Sequence, residues 1–290
     1  MKVLVLGVNG QLGSDLFEAC RKREPAFEPI AFTRRDLDVS CLHDIIPRLQ
    51  AMDFDVLVNC TGYHKTEEVE ANPALGFTIN AHAVGMMAEI CHKKRATLIH
   101  ISTDYVFSGD TYRPYTESDC PHPINVYGAS KALGEMLANR AHGQVYTLRV
   151  ASLFGVAGAS GKGGNFVETM LKTAKGKGEV RVVNDIVMSP TATADIADGI
   201  VRLIEKRPEP GVYHAVNSGQ ATWYEFAQAI IKRTGTKAAV VPVTSSQFPT
   251  LIRRPSYSVL NNRKFSGIVG EIPHWTDALE GYLRKKGHIA

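Results

Sequence analysis

Short, mostly apolar runs alternate with longer stretches in which apolar residues recur every three or four positions through the first half of the chain. Residues 2–6, 29–32, 55–59, 97–101 and 146–150 read as strands, rich in Val, Ile and Leu. Near-continuous apolar runs of this length mark strands covered on both faces. Between them, residues 12–23, 41–52, 74–94 and 126–140 carry helical spacing. Strands alternating with helices over this length predict an α/β fold with a Rossmann-type, doubly wound parallel sheet. Beyond residue 152 the rhythm loosens. Residues 155–164, rich in Gly, Ala and Ser, read as a mobile loop. Helices are expected over 165–175, 193–205, 223–234 and 274–284, with strands over 179–183 and 211–215, the latter returning to the main sheet. The proline-containing stretch 242–255 reads as irregular. The expected division is a Rossmann domain over 1–152 and 188–217, with a smaller C-terminal α/β lobe over 153–187 and 218–290.

The 290 residues are enough for such a domain and lobe. The net charge of +4 is spread along the chain, with local basic spots at Arg34-Arg35, Arg253-Arg254 and Arg284-Lys285-Lys286. This gives no nucleic-acid or membrane footprint, so neither partner is expected. The five cysteines, Cys20, Cys41, Cys60, Cys91 and Cys120, are odd in number and scattered. Neither a disulfide framework nor a zinc site is indicated, and no metal is expected. His64, His82 and His100 have no spaced partners and read as ordinary surface or core histidines. The leading apolar run is too short for a signal peptide, and no segment reads as long enough to span a bilayer. A cytoplasmic setting is the expectation.

The first strand runs directly into Gly7-Val8-Asn9-Gly10-Gln11-Leu12-Gly13, which opens the first helix. Glycines at such a turn let the backbone bend tightly, let a diphosphate approach, and let helix pack on strand. The diphosphate then meets unpaired N–H groups at the helix N-terminus. The spacing is one residue longer than the G-x-G-x-x-G dinucleotide fingerprint. After the second strand comes Phe32-Thr33-Arg34-Arg35. Arginines there suit a 2′-phosphate and favour NADP(H), while the nearby Asp36 and Asp38 leave NAD(H) open.

Tyr127 and Lys131 stand four apart on a predicted helix and so share one face. A phenol with a pKa near ~10 is a poor acid at neutral pH. A fixed ammonium beside it favours the phenolate and makes the group a usable proton donor. A hydroxyl from Ser102 or Thr103 would hold a carbonyl oxygen beside it. This is equipment for moving hydride at a carbon that bears oxygen.

Gly7/Gly10/Gly13, Asn59, the run Ile101-Ser102-Thr103-Asp104-Tyr105-Val106-Phe107-Ser108-Gly109, Pro114-Tyr115-Thr116-Glu117 and Val126-Tyr127-Gly128-Ala129-Ser130-Lys131 together resemble the extended short-chain dehydrogenase/reductases. Within them the pattern is most similar to the dTDP-4-dehydrorhamnose reductase family. Asn165-Phe166-Val167, Ser189-Pro190-Thr191, Trp223-Tyr224-Glu225-Phe226 and Arg254-Pro255 extend the match nearly end to end. The resemblance implies NAD(P)H-dependent reduction of a 4-keto-6-deoxyhexose carried on dTDP, by a monomer or homodimer. Tyr127 would protonate the C4 oxygen, Lys131 would bind the nicotinamide ribose and depress the Tyr127 pKa, and Thr103 would be the catalytic hydroxyl. The cofactor would lie on Gly7, Asn9, Gly10, Gln11, Leu12 and Gly13, with Arg34, Asp38 and Val39 near the adenosine. Cys60, Thr61, Gly62 and Tyr63 would pass the diphosphate and ribose. Ser102, Asp104, Tyr105, Asn165, Phe166 and Arg254 would join Thr103 and Tyr127 on the substrate.

Tyr105 stands where sugar-nucleotide dehydratases carry an acidic residue, which disfavours elimination. Two other readings stay open: a non-catalytic NADP-binding regulatory subunit like that of methionine adenosyltransferase, and a sugar-nucleotide epimerase. The chain departs from the family pattern at Ala151-Ser152-Leu153-Phe154-Gly155, where Ser152 replaces a tryptophan expected against the sugar. It departs again at His64-Lys65-Thr66-Glu67-Glu68-Val69-Glu70, which is more charged than usual. The helix beginning Trp223-Tyr224-Glu225-Phe226 is expected to pack the core of the smaller lobe.

Overall fold

The computed structural model describes residues 1–158, 164–248 and 250–290. Strand and helix alternate through β1 (Lys2–Leu6), α1 (Gln11–Arg21), β2 (Glu28–Phe32), α2 (Leu42–Gln50) and β3 (Val56–Asn59). They continue with α3 (Thr66–Ala71), α4 (Pro73–Phe77), α5 (Ala83–Lys94), β4 (Thr97–Thr103), α6 (Val126–Arg140) and β5 (Gln144–Val150). Next come β6 (Leu153–Phe154), α7 (Phe166–Lys177), β7 (Glu179–Val183), β8 (Val187–Met188), β9 (Thr191–Ala192), α8 (Thr193–Lys206) and β10 (Gly211–His214). The chain ends through β11 (Ala221–Thr222), α9 (Trp223–Arg233), β12 (Ala239–Val243), α10 (Arg263–Val269) and α11 (Trp275–Lys285).

Six strands form one sheet in the order β2-β1-β3-β4-β5-β10, and every pairing in it is parallel. Successive residues of β1 supply opposite cores. Val3 and Val5 pack with Leu12 and Leu16 of α1 and with Ile196 and Ile200 of α8. Leu4 and Leu6 pack with Ile45 and Leu49 of α2 and with Val84, Met87 and Ala88 of α5. Each such fully buried side chain contributes roughly 2 kcal/mol. The doubly wound sheet expected from the alternating pattern is the one found. The strand order reverses between β1 and β3, opening a crevice at their carboxyl ends.

A third core joins α7, α9 and α11 through Val167, Leu171, Phe226, Ile230, Trp275 and Leu279. Phe265 and Val269 of α10 pack instead in the first core, beside α8. The parallel pair β7–β12 borders the lobe, so 239–243 is a strand although 242–255 reads as irregular. Pro242 is tolerated because a two-stranded sheet has only edge strands. Of the loop expected over 155–164, residues 159–163 lie outside the described residues.

The helix expected over 74–94 is divided. A π-helical turn, Thr78–His82, separates α4 from α5, and α3 precedes them. The stretch Pro73–Lys94 is, against expectation, long and apolar enough to cross a membrane. Here half of that apolar window is buried in the protein, with Val84, Met87 and Cys91 in the second core.

Gly134 of α6 faces the backbone of the π turn so closely that an added Cβ would overlap the Asn80 carbonyl oxygen. An added Cβ at Gly281 of α11 meets nothing within 4 Å. Gly→Ala inside a helix ordinarily gains up to ~1 kcal/mol. Gly281→Ala should therefore stabilise by that order. Gly134→Ala should destabilise by about 2 kcal/mol or more, because backbone cannot move aside as a side chain can. Urea denaturation of the two variants beside the parent measures both signs.

Candidate active site

The glycine turn leaves β1 with Gly7 at φ +79, a left-handed conformation that suits glycine. Its hydrogen would be replaced by a Cβ 3.1 Å from the Cys60 backbone, and a Cβ at Gly13 would overlap the Gly7 carbonyl. The turn is thus pressed between β3's exit and α1. No side chain caps α1, whose N-cap is Gly10, and no acid stands in its first turn. That donor set fits an anion such as a diphosphate. Gln11 ties the turn to the loop beyond β6: its Oε1 accepts from Gly155 N at 2.9 Å. Leu12 and Val39 are buried core residues. After β2, Arg34 Nε donates to Asp38 Oδ2 at 2.9 Å, and Asp38 Oδ1 accepts from Ser40 Oγ and N at 2.7 and 3.0 Å. The Asp38 carboxylate is therefore occupied, while 80% of the Arg34 side chain stays exposed.

Helix α6 starts at this edge because two side chains fix its first turn. Asn125 caps it, accepting from Gly128 N at 2.8 Å. Glu70 Oε2, from the charged segment after β3, accepts from Val126 N at 2.9 Å. An added Cβ at Gly128 would overlap the Tyr105 carbonyl, so the helix lies directly on the chain leaving β4. Tyr127 is half-buried there, its ring edge-on to Tyr105 with centroids 5.8 Å apart.

Burial raises the Tyr127 phenol above its ordinary value, a hydrogen bond with Thr103 opposes the rise, and Asp104 and Tyr105 add to it. The depression expected from Lys131 is not what the protein alone displays. Lys131 Nζ is buried beneath the site and donates to Ile101 O at 2.5 Å, with His100 Nε2 at 3.3 Å. Burial brings the Lys131 ammonium down to about 8, against Glu135 and Cys60, which favour its charge. Thr103 Oγ1 accepts from Tyr105 N at 3.2 Å and donates to Asp104 Oδ1 at 3.0 Å.

Several expected substrate contacts are turned elsewhere. Ser102 Oγ donates to Glu135 Oε1 at 2.5 Å, away from the cleft, and Glu135 forms a buried ion pair with Arg149 at 2.7 Å. Asp104 is buried, with Thr103 and Ser258 as hydrogen-bond partners, and burial raises its carboxyl to about 6. The Asn165 amide nitrogen donates to Gly155 O at 3.0 Å and Tyr282 Oη at 3.1 Å, while its oxygen caps α7 through Glu168 N. Asn165 braces the lobe against the glycine turn. Each of these polar groups is satisfied within the protein.

Phe166 and Arg254 do face open space. A cleft of about 460 Å³ is lined by Phe166, Trp223, Phe248, Arg181, Arg254 and Glu67. Arg254 reaches Tyr105 Oη at 3.3 Å, linking the cleft to the Tyr127 edge. Ser152 follows β5 at φ +43. Aromatic surface comes instead from Phe166 and Trp223, whose ring centroids are 4.6 Å apart. Trp223 thus lines the cleft, and it is Phe226 that fills the lobe core.

Sequence reasoning gave no place in the site to Asn80, His100, Glu135 or Arg149. Asn80 Oδ1 accepts from Tyr63 N at 2.8 Å, and its Nδ2 donates to Tyr63 O and Ser130 Oγ, each at 3.0 Å. It clamps the segment from Cys60 to Tyr63 against α6. Its only signal was a polar residue within an apolar helical run. His100, read as an ordinary histidine, lies wholly buried under Lys131.

Comparison with known proteins gives the family of the chain. The family model described as RmlD substrate binding domain matches residues 1–287. The spore coat polysaccharide biosynthesis protein SpsK of Bacillus subtilis is 36% identical over 286 residues, covering 98% of both chains. The dTDP-4-dehydrorhamnose reductase of Burkholderia thailandensis is 33% identical, covering 96% of this chain and 97% of that one. Among solved structures, the dTDP-4-dehydrorhamnose reductase of Bacillus anthracis in complex with NADP superposes with a TM-score of 0.89 at 32% identity, over 98% of this chain and 99% of that one. With a family match over nearly the whole chain and relatives a third identical along their full length, the chain belongs to the RmlD family, that of the dTDP-4-dehydrorhamnose reductases.

Proposed function

We propose that this protein is an NADPH-dependent reductase of a dTDP-linked 4-keto-6-deoxyhexose, with dTDP-4-dehydrorhamnose as its substrate, acting in the cytoplasm. The observation that carries the reading is the hydrogen bond of Tyr127 with Thr103 at the carboxyl end of β4, with Lys131 one helical turn further along α6 and bonded to Ile101 O of that same strand, one strand from the crevice beside the glycine turn. The cofactor-binding body is 1–152 with 188–217, to which α10 returns, and the lobe supplies the cleft.

The bound cofactor would supply hydride to C4. Gly7, Gly10 and Gly13 would hold its diphosphate by backbone approach, and the segment from Cys60 to Tyr63 would pass beside it. Arg34, exposed beyond β2, would take the 2′-phosphate, whereas Asp38 is already bound to Arg34 and Ser40 and is poorly placed to accept from ribose hydroxyls. The protein's own groups handle the proton. Tyr127, kept protonated by burial, gives its proton to the C4 oxygen as charge develops there. Thr103 moves its hydroxyl bond from Asp104 to that oxygen or to the phenolate left behind. Arg254 and Arg181 offer cations to the substrate diphosphate, and Phe166 and Trp223 offer flat apolar surface to base or sugar.

Purified protein mixed with NADPH and a panel of 4-keto-6-deoxy sugar nucleotides should oxidise the cofactor, read by its absorbance. NADPH binding without oxidation by any member would favour a regulatory subunit and overturn the reductase. Tyr127→Phe should lower kcat by about 10²–10⁴-fold and leave the NADPH Kd within about twofold, since binding rests on the glycine turn. Titration with both cofactors checks a second expectation: Arg34→Ala weakens NADPH by roughly tenfold, the loss of one charge-assisted contact, and NADH far less.

A further inference from the structure

His100 is a fully buried titratable group that the reaction above leaves unused. Its Nε2 lies 3.3 Å from Lys131 Nζ, and its Nδ1 lies 3.4 Å from Asn59 Nδ2. The neighbours fix where its proton sits. Asn59 Oδ1 receives the Thr61 backbone N–H at 3.0 Å and the Thr61 hydroxyl at 2.5 Å. A backbone N–H can only donate, so that atom is the amide oxygen, and the amide nitrogen is turned to His100. An amide nitrogen also only donates, so Nδ1 must accept. Burial, reinforced by Lys131, holds the imidazole well below its ordinary pKa, and it is neutral. Its one proton is therefore on Nε2 and faces Lys131. An ammonium at Lys131 would set two donors against each other. A neutral amine accepts that proton while still donating to Ile101 O at 2.5 Å.

We propose that His100, oriented by Asn59 and Thr61, is a positioning residue that disfavours the ammonium form of Lys131 and so sets the upper pH limit of the reaction. The charged groups around Lys131 do not explain such a limit. Glu135, on the same helix, and Cys60, after β3, both favour the ammonium. Arg149, on β5, is bound to Glu135, and Tyr127 lies one turn earlier on α6. The placement of Lys131 at about 8, chiefly by burial, agrees with a group held near neutrality. A charged Lys131 favours the phenolate that Tyr127 leaves on donating its proton, so the protonated lysine is the active form. Activity then falls as pH rises through the Lys131 pKa, and easing the His100 constraint moves that fall upward.

The kinetic arm rests on the reductase reading, whereas the spectroscopic arm does not. Imidazole ¹⁵N–¹H correlation spectra of the full-length, substrate-free protein, assigned with His100→Gln, should place His100 in the Nε2–H tautomer. The Nδ1–H tautomer, or an imidazolium, would overturn the proposal even if no substrate were ever found. In Asn59→Asp a carboxylate can accept from both Thr61 and Nδ1–H. The ring should then change tautomer and turn an acceptor to Lys131. The alkaline limb of kcat/KM against pH should rise by about one unit or more. A limb that stays in place while kcat falls would mean a merely structural histidine and would sink the idea. Should Asn59→Asp fail to fold, the parent's tautomer still decides.

Discussion

Covering a parallel sheet on both faces is the constraint from which the rest of this protein follows. A strand such as β1, with Val3 and Val5 on one side and Leu4 and Leu6 on the other, needs a helical layer against each face. Two layers require the chain to wind outward in both directions from the sheet's middle. The crevice between β1 and β3 is the necessary result, because the loops leaving those strands diverge there. The glycine turn, the segment from Cys60 to Tyr63 and the end of β4 all open onto that edge.

Bringing chemistry to the edge costs polar burial beneath it. Lys131, His100, Asn59, Glu135, Arg149 and Ser102 are all buried. Unpaired, any one of them would carry a penalty of a few kcal/mol. They are linked instead, with Thr61 to Asn59 to His100 to Lys131 on one side and Ser102 to Glu135 to Arg149 on the other. The first chain ends on Lys131, and the second ties β4, α6 and β5 together. This division explains why Ser102 and Thr103, adjacent in sequence, do different work. Alternation along β4 sends one hydroxyl to the buried ion pair and leaves the other beside Tyr127.

The lobe is built on different terms. Its core is rich in aromatic rings, with Tyr282 edge-on to Phe154, Trp275 edge-on to Phe226 and Phe154 tilted against Phe226. Both side chains and the backbone bonds of Tyr115 with Val259 and Asn261 join it to the Rossmann body. Asn165 bridges Gly155 and Tyr282, and Gln11 holds Gly155. The aromatic surface offered to the cleft comes from Phe166 and Trp223 of this lobe.

By itself the sequence determined the sheet class, the glycine turn and the Tyr127/Lys131 pair, because each rests on local spacing: two-residue alternation, a turn without Cβ atoms, and one helical repeat. It could not decide which hydroxyl faces the cleft, where Lys131 points, or that Asn165 and Asp104 are occupied within the protein. Those outcomes depend on partners far along the chain, as when Asn80 meets Tyr63 and Ser130, or Glu70 meets Val126. The weight of His100 was hidden for the same reason. A lone histidine in a strand carries no signal until folding sets Asn59 on one ring nitrogen and Lys131 on the other. Local geometry is written in neighbouring residues, whereas the competition among buried donors and acceptors is settled only when distant segments close around them.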